Sequence, residues 1–207
     1  MLWLRSGFVQ ALLVMTVLGR DRAGLVESVA DVVRRHGGNW LESRMARLGG
    51  QFAGILRVAV PAERRAALER ALTALNQEGL TVVVHADEPP HALGRVARFA
   101  ELEVVGQDRP GIVREIAHAL AAAGVNVEEL ETHCRSAAMS GENIFHARFR
   151  IALPPEAHLE ALRRHIEEVA ADLIVDVALE EISAAGREHK CVQNSSEKPA
   201  SRASTEP

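Results

Sequence analysis

The chain has 207 residues, 47% of them hydrophobic and 25% charged, with a formal net charge of −4. That composition excludes collagen, wholesale disorder and a membrane-embedded chain, and the acidic balance argues against a module whose main partner is a phosphate backbone. Aromatic residues are 3% with no tyrosine, which leaves little for base stacking, and two cysteines exclude a disulfide-dense scaffold and a four-cysteine zinc site.

Phe8 to Leu18 is an apolar run behind Arg5. It is too short to span a bilayer, and it runs into the charged turn Gly19-Arg20-Asp21-Arg22 rather than a small-residue cleavage site. Within it, Ala11–Leu18 reads as a buried strand. Leu25, Val26, Val29, Ala30, Val32 and Val33 follow at helical spacing, and Gly37 ends that helix as a left-handed cap. Strands follow near 39–48 and 51–60, joined at Gly49-Gly50. Pro61 ends the second of them. A helix with Leu68, Leu72 and Leu75 on one face comes next, closed by Gly79, and Leu80–His85 is a last strand.

The same order then returns. Leu102–Gly106 reads as a strand and Gly111–Ala123 as a helix closed by Gly124. Strands near 126–135 and 143–153 flank a longer loop around Ser136–Glu142. Pro154-Pro155 leads into a helix with Leu159, Leu162, Ile166 and Val169 on one face, and Leu173–Leu179 is the final strand. Shifting the chain by 87 residues aligns 13–43 with 100–130, and ten of those 31 positions are identical. They include Gly19/Gly106, Asp21/Asp108, Arg22/Arg109, Gly24/Gly111, Gly37/Gly124 and Asn39/Asn126. Beyond the longer loop the offset grows to 93, a six-residue insertion. Two copies are too few for a solenoid.

The reading is therefore α+β: two tandem ferredoxin-like βαββαβ units, each an antiparallel sheet with helices on one face. The expected boundaries are an N-terminal extension over 1–10, unit one over 11–88, a linker over 89–97 and unit two over 98–182. The remainder, 183–207, lacks periodicity and is expected to be a disordered tail. In the third strand of unit two, Phe145, Ala147, Phe149, Ile151 and Leu153 should face the helices. Ile144, His146, Arg148 and Arg150 should face the open side, where Glu101 and Glu103 of the neighbouring first strand can pair with the arginines. Trp40 is expected in a core or domain interface. Met15, Met45 and Met139 form no stripe.

The turn from first strand to first helix carries the most chemistry. Gly19/Gly106 should let the chain turn sharply. Asp21/Asp108 can cap free amides or hold an ammonium group. Gly24/Gly111 clears the helix N-terminus, whose unpaired N–H groups suit a carboxylate. Asn39/Asn126 adds a donor and an acceptor. Such a set suits a zwitterion, and it equally suits a capped, glycine-dependent turn with no ligand.

Gly106-Gln107-Asp108-Arg109-Pro110-Gly111 with Gly124-Val125-Asn126, and the matching Gly19–Gly24 with Gly37-Gly38-Asn39, resemble ACT domains. These are small ferredoxin-like regulatory modules that commonly bind amino acids. A tandem pair of this length is similar to the glycine cleavage system transcriptional repressor family. The resemblance spans roughly 11–182. It implies a glycine-responsive repressor that binds a transcriptional activator protein rather than DNA. It implies ligand contacts from Asp21, Arg22, Gly24 and Asn39, and from Asp108, Arg109, Gly111 and Asn126. Ala23 stands where unit two has Pro110, which leaves the first turn less preorganised. Glycine has five heavy atoms, so a ceiling of about 1.5 kcal/mol per atom limits its binding to roughly 7.5 kcal/mol, near micromolar.

Three other readings stay open. A metabolic enzyme's regulatory subunit is one; no catalytic motif, cofactor site or metal site is read in the chain, so no enzymatic activity is expected. His133-Cys134 reads as ordinary loop or strand residues. RNA-recognition modules share the element order, but they need outward aromatics on the first and third strands, and the outward set read here has none. A ligand-free interaction or oligomerisation module is the third. Open sheet faces and edges allow a homodimer, and a cytoplasmic setting follows from the cysteine usage.

Overall fold

In the computed structural model, which describes residues 9–87, 98–136 and 142–182, the chain divides into two compact units, Met1–Ala92 and Leu93–Pro207. Unit one holds β1 (Gln10–Arg20), α1 (Leu25–Arg35), β2 (Asn39–Leu48), β3 (Gln51–Pro61), α2 (Arg65–Ala74) and β4 (Leu80–Ala86). Unit two holds β5 (Arg98–Gln107), α3 (Ile112–Ala122), β6 (Asn126–Ser136), β7 (Asn143–Leu153), α4 (Leu159–Leu173) and β8 (Val175–Ile182). The linker 89–97, the tail 183–207, most of the N-terminal extension and the centre of the β6–β7 loop lie outside the described residues.

Both sheets are antiparallel, in the orders β2-β3-β1-β4 and β6-β7-β5-β8. This is the duplicated ferredoxin-like α+β arrangement that the repeated element order predicts. Alternation decides the inner faces. Leu13, Met15 and Val17 of β1, with Leu56, Val58 and Val60 of β3, are at most 2% exposed. They pack against Val29 and Val33 of α1 and Leu68 and Leu72 of α2. In unit two the inward set from Phe145 to Leu153 is buried against Ile116 and Leu120 of α3 and Ile166 of α4. Each fully buried leucine or isoleucine contributes about 1.5–3 kcal/mol, so units of this size have cores enough to hold a four-stranded sheet. Trp40 is half-buried against the first core.

Two boundaries differ from the sequence reading. The last strand starts at Val175, because Leu173 closes α4 and Ile174 takes a left-handed φ of 50° that breaks the apolar run. β5 starts at Arg98 rather than Leu102, and this brings Phe99 into the outward phase of Glu101 and Glu103. The open face of unit two therefore does carry one phenyl ring, and the Arg150 guanidinium lies 5.4 Å from its centroid.

The ion pairs expected across β5 and β7 are present. Glu103 stands opposite Arg148 and Glu101 opposite Arg150. Arg148 lies 2.9 Å from Glu103 and 3.3 Å from Glu101. The hydrogen bond to Glu103 holds the Arg148 guanidinium above its ordinary pKa, against a smaller opposing effect of burial.

Candidate functional site

The two strand-to-helix turns are built alike. The Asp21 N–H donates to Gly50 O at 3.0 Å, and the Asp108 N–H donates to Asn143 O at 2.8 Å. Each turn is thereby tied to the hairpin beside it. Gly24 (φ 88°) and Gly111 (φ 104°) stand directly before α1 and α3 in left-handed geometry, where a side chain would be strained. Neither helix start has a side-chain cap. The expectation that Asp21 and Asp108 cap the helices is thus corrected. They lie three residues before the glycine that takes the cap position, and neither makes a side-chain cap hydrogen bond there. The first-turn amides behind each glycine keep the positive end of the helix dipole open to an acceptor.

The reason for Gly19 and Gly106 is corrected too. Neither has a positive φ. A Cβ at Gly19 would come within 2.9 Å of Gly79 O, and one at Gly106 within 2.6 Å of Val175 Cγ1. These glycines let the outermost strand of each unit close against the first strand; the turns themselves rely on Gly24 and Gly111.

Arg22 and Arg109 share a role that the sequence did not reveal. Arg22 donates to Glu78 O at 3.3 Å, and Arg109 donates to Asp172 O at 3.2 Å. Both carbonyls lie in the last helical turn before the outer strand, where unpaired carbonyls and the negative end of the dipole favour a cation. The Arg109 Nε is buried and meets no hydrogen-bond partner among the described residues. Both arginines pin the turn to the second helical segment of their own unit.

Asn39 and Asn126 are not brought to the turns of their own units. Asn39 pairs with Ala59, which pairs with Leu12. Asp21 lies nine residues further along the chain, about 30 Å away at strand rise. Asn126 pairs with Ala152 opposite Phe99, equally far from Asp108. Its amide donates to Glu128 at 2.7 Å. The expected set of Asp, Arg, Gly and Asn therefore does not assemble within either unit. The helix between them runs back along the sheet and delivers the asparagine to the opposite end.

The two turns differ in one partner. Arg47 lies opposite Phe52 and Gly19, and Cys134 lies at the same ladder position, opposite Phe145 and Gly106. Arg47 forms a 3.3 Å ion pair with Asp21. Cys134 instead places a thiol beside Asp108. Partial desolvation, then the Asp108 charge and hydrogen bond, push that thiol above its ordinary pKa. Among the described residues Asp108 thus meets a thiol where Asp21 meets an arginine. His133, read as an ordinary strand residue, stacks on His146 with ring centroids 4.7 Å apart. No cluster of three or more His, Cys, Asp or Glu capable of holding a metal occurs among the described residues. None of the described helices is long and apolar enough to cross a membrane.

Beside the first turn lies a polar groove of about 390 Å³, lined by Arg22, Gly24, Glu27, Asp31, Arg35 and Glu78 among others. Its size suits a small molecule, and both charge signs line it. A second cavity, of about 280 Å³, lies in unit two between the end of α3 and the start of α4, away from the Asp108 turn.

Comparison with known proteins places these features. Residues 11–85 match one ACT-domain model and residues 97–172 another. A crystal structure of a protein of unknown function from Galdieria sulphuraria is 31% identical, covers 84% of this chain and all of its own, and superposes with a TM-score of 0.73. The structure of a proposed glycine cleavage system transcriptional repressor is 22% identical, covers 84% of this chain and 98% of its own, with a TM-score of 0.64. That second likeness is one of fold. No curated protein matches the chain. Two matched models, on two units that repeat one topology around one turn, give the conclusion that the chain belongs to the ACT-domain family as a tandem pair.

Proposed function

We propose that this protein is a non-enzymatic, amino-acid-sensing regulator, with glycine as the leading effector. In this reading it represses glycine cleavage genes in the cytoplasm by contacting a transcriptional activator protein, without binding DNA itself. The observation that carries the sensing is the pair of helix starts led by a left-handed glycine and left without a side-chain cap. Their free amides can take a carboxylate, as ACT domains typically bind amino acids. Asp108, lacking the arginine that pairs with Asp21, supplies the carboxylate for the ammonium group. Gly111 gives the ligand room to approach, and Arg109 holds the turn in place through Asp172. In unit one, Asp21, Arg22 and Gly24 form the weaker site. Asn39 and Asn126 serve no ligand held by the aspartate of their own unit.

Indirect action on genes fits the acidic net charge and the open face of unit two, where the one phenyl ring is covered by Arg150. The test is calorimetric titration with glycine, serine and alanine. Binding in the micromolar to millimolar range is expected for at least one of them. Removing a hydrogen bond to a charged group costs about 1.5–3 kcal/mol, so Asp108→Asn should weaken it by roughly 10- to 150-fold. No heat and no thermal shift at millimolar ligand would sink the sensing role. Tight, salt-sensitive retention of duplex DNA on a filter would sink the indirect mode.

A further inference from the structure

His133 and Cys134 adjoin in sequence, but strand alternation sends them to opposite faces of the sheet. Cys134 lies on the helix side, at the ladder position of the buried Phe145 and beside Asp108. His133 lies on the open face, in the cross-strand row His133, His146, Val105 and Asp176. The two imidazole rings stack with centroids 4.7 Å apart and planes 28° from parallel. Both residues are half-buried, and among the described residues no hydrogen bond engages either ring. The fold does not require the pair. In unit one, which has the same topology, the matching row is Ala46, Ala53, Leu18 and Thr81. The field around the rings favours a cation. The neighbouring rows are Glu131, Arg148 and Glu103, then Glu129, Arg150, Glu101 and Glu180, with Arg135 on the other side. Asp176 included, six carboxylates share this face with three arginines.

We propose that His133 and His146 form a chelating pair for a late first-row divalent cation, Cu²⁺ or Ni²⁺, on the open face of unit two. Imidazole nitrogen suits these metals, and two nitrogens completed by water oxygens give the tetragonal N,O set that they prefer. Two metal–nitrogen bonds of about 2.0 Å at a right angle set the nitrogens about 2.8 Å apart. Directly opposed strand residues have Cβ atoms about 4.5–5.5 Å apart, so small side-chain rotations from the stacked arrangement bring one nitrogen of each ring to that spacing. Glu131 precedes His133 by two residues on the same face, where its carboxylate can accept from a coordinated water or from the outer ring N–H. A two-imidazole site with water in the remaining positions needs no cluster of three protein ligands, and none occurs among the described residues. The pair lies across the sheet from Asp108, so this inference does not rest on the amino-acid reading.

Calorimetric titration of the full chain with nickel chloride in a non-chelating buffer tests this. The wild type should bind one Ni²⁺ that the doubly substituted His133→Ala/His146→Ala protein does not. Loss of even an outer partner of a metal ligand costs about 10–100-fold in affinity, so each single substitution should weaken that ion at least tenfold. His165→Ala, an exposed position on α4, should leave it within about twofold, and far-UV circular dichroism should be unchanged throughout. Should the alanine variants fail to fold, the C134S/C191S protein loaded with Cu²⁺ gives a second readout. Its electron paramagnetic resonance spectrum should show hyperfine coupling to two imidazole nitrogens. No Ni²⁺ beyond what the double variant binds, an affinity untouched by either single change, or a copper spectrum without two imidazole nitrogens would overturn the proposal and leave the rings as a stacked pair alone.

Discussion

Gly106→Ala provides a sharp test of how the second turn is supported. The added Cβ would lie 2.6 Å from Val175 Cγ1 and 3.0 Å from Val175 Cα and Cβ. Ordinary carbon contacts are about 3.5–4.0 Å, so all three are overlaps. Rotating the valine removes only the first, and its branched side chain has few rotamers to offer. The other two require β8 to move away from β5. Overpacking of this kind costs about 1–3 kcal/mol. At 2 kcal/mol, a domain of this size should lose roughly 8–16 °C in Tm. In a Trp3→Phe background the one tryptophan left is Trp40, which packs against the core of unit one, so two probes separate the units. Far-UV circular dichroism should show an early transition from unit two, while the tryptophan fluorescence transition stays in place. Adding Val175→Ala should return part of the loss. A Tm change below 2 °C would show that β8 yields freely and that Gly106 is not required for strand approach.

Arg109→Ala should lower stability by about 1 kcal/mol in urea unfolding, because a charged donor to the last turn of α4 is lost; an unchanged midpoint would refute the latch. Arg148→Ala, in an exposed network, should cost no more than about 1 kcal/mol, shrinking in high salt; a larger, salt-independent loss would mean the network is structural. In a C191S background, Cys134 should alkylate more slowly at pH 8 than a free thiol, and Asp108→Asn should speed it. Its raised folded pKa also fixes a sign: this group's contribution to stability is present below the ordinary thiol pKa and is lost as pH rises through the folded value. Alkylation of the C191S protein at the free-thiol rate would refute the placement of Asp108 beside Cys134.

Local pattern carried most of the architecture. The alternation of Phe145 through Leu153 fixed which side of β7 meets the helices, and the buried set agrees residue by residue. The glycines at 37, 49, 50, 79 and 124 marked element ends, and each takes a positive φ. Identity between the repeats located both turns, because a backbone that needs a left-handed residue before a helix needs it twice. Where an apolar run crosses a boundary, as at Leu173-Ile174-Val175, composition carries no mark of the break, and the strand was read two residues early.

What depended on distant partners was settled only by tertiary structure. Gly19 and Gly106 read as bends, yet they are small because Gly79 and Val175 press on them from the far end of the unit. Nothing local to Arg22 or Arg109 announces the carbonyls they reach, 56 and 63 residues away. Asn39 looked near Asp21 in sequence, but the intervening helix carries the chain back along the sheet. The different partners of Asp21 and Asp108 came from whether arginine or cysteine stands at that ladder position on the edge strand. Period and turn chemistry act over a few residues, so they specify elements; which side chains meet depends on how those elements pack, and that is a property of the folded chain.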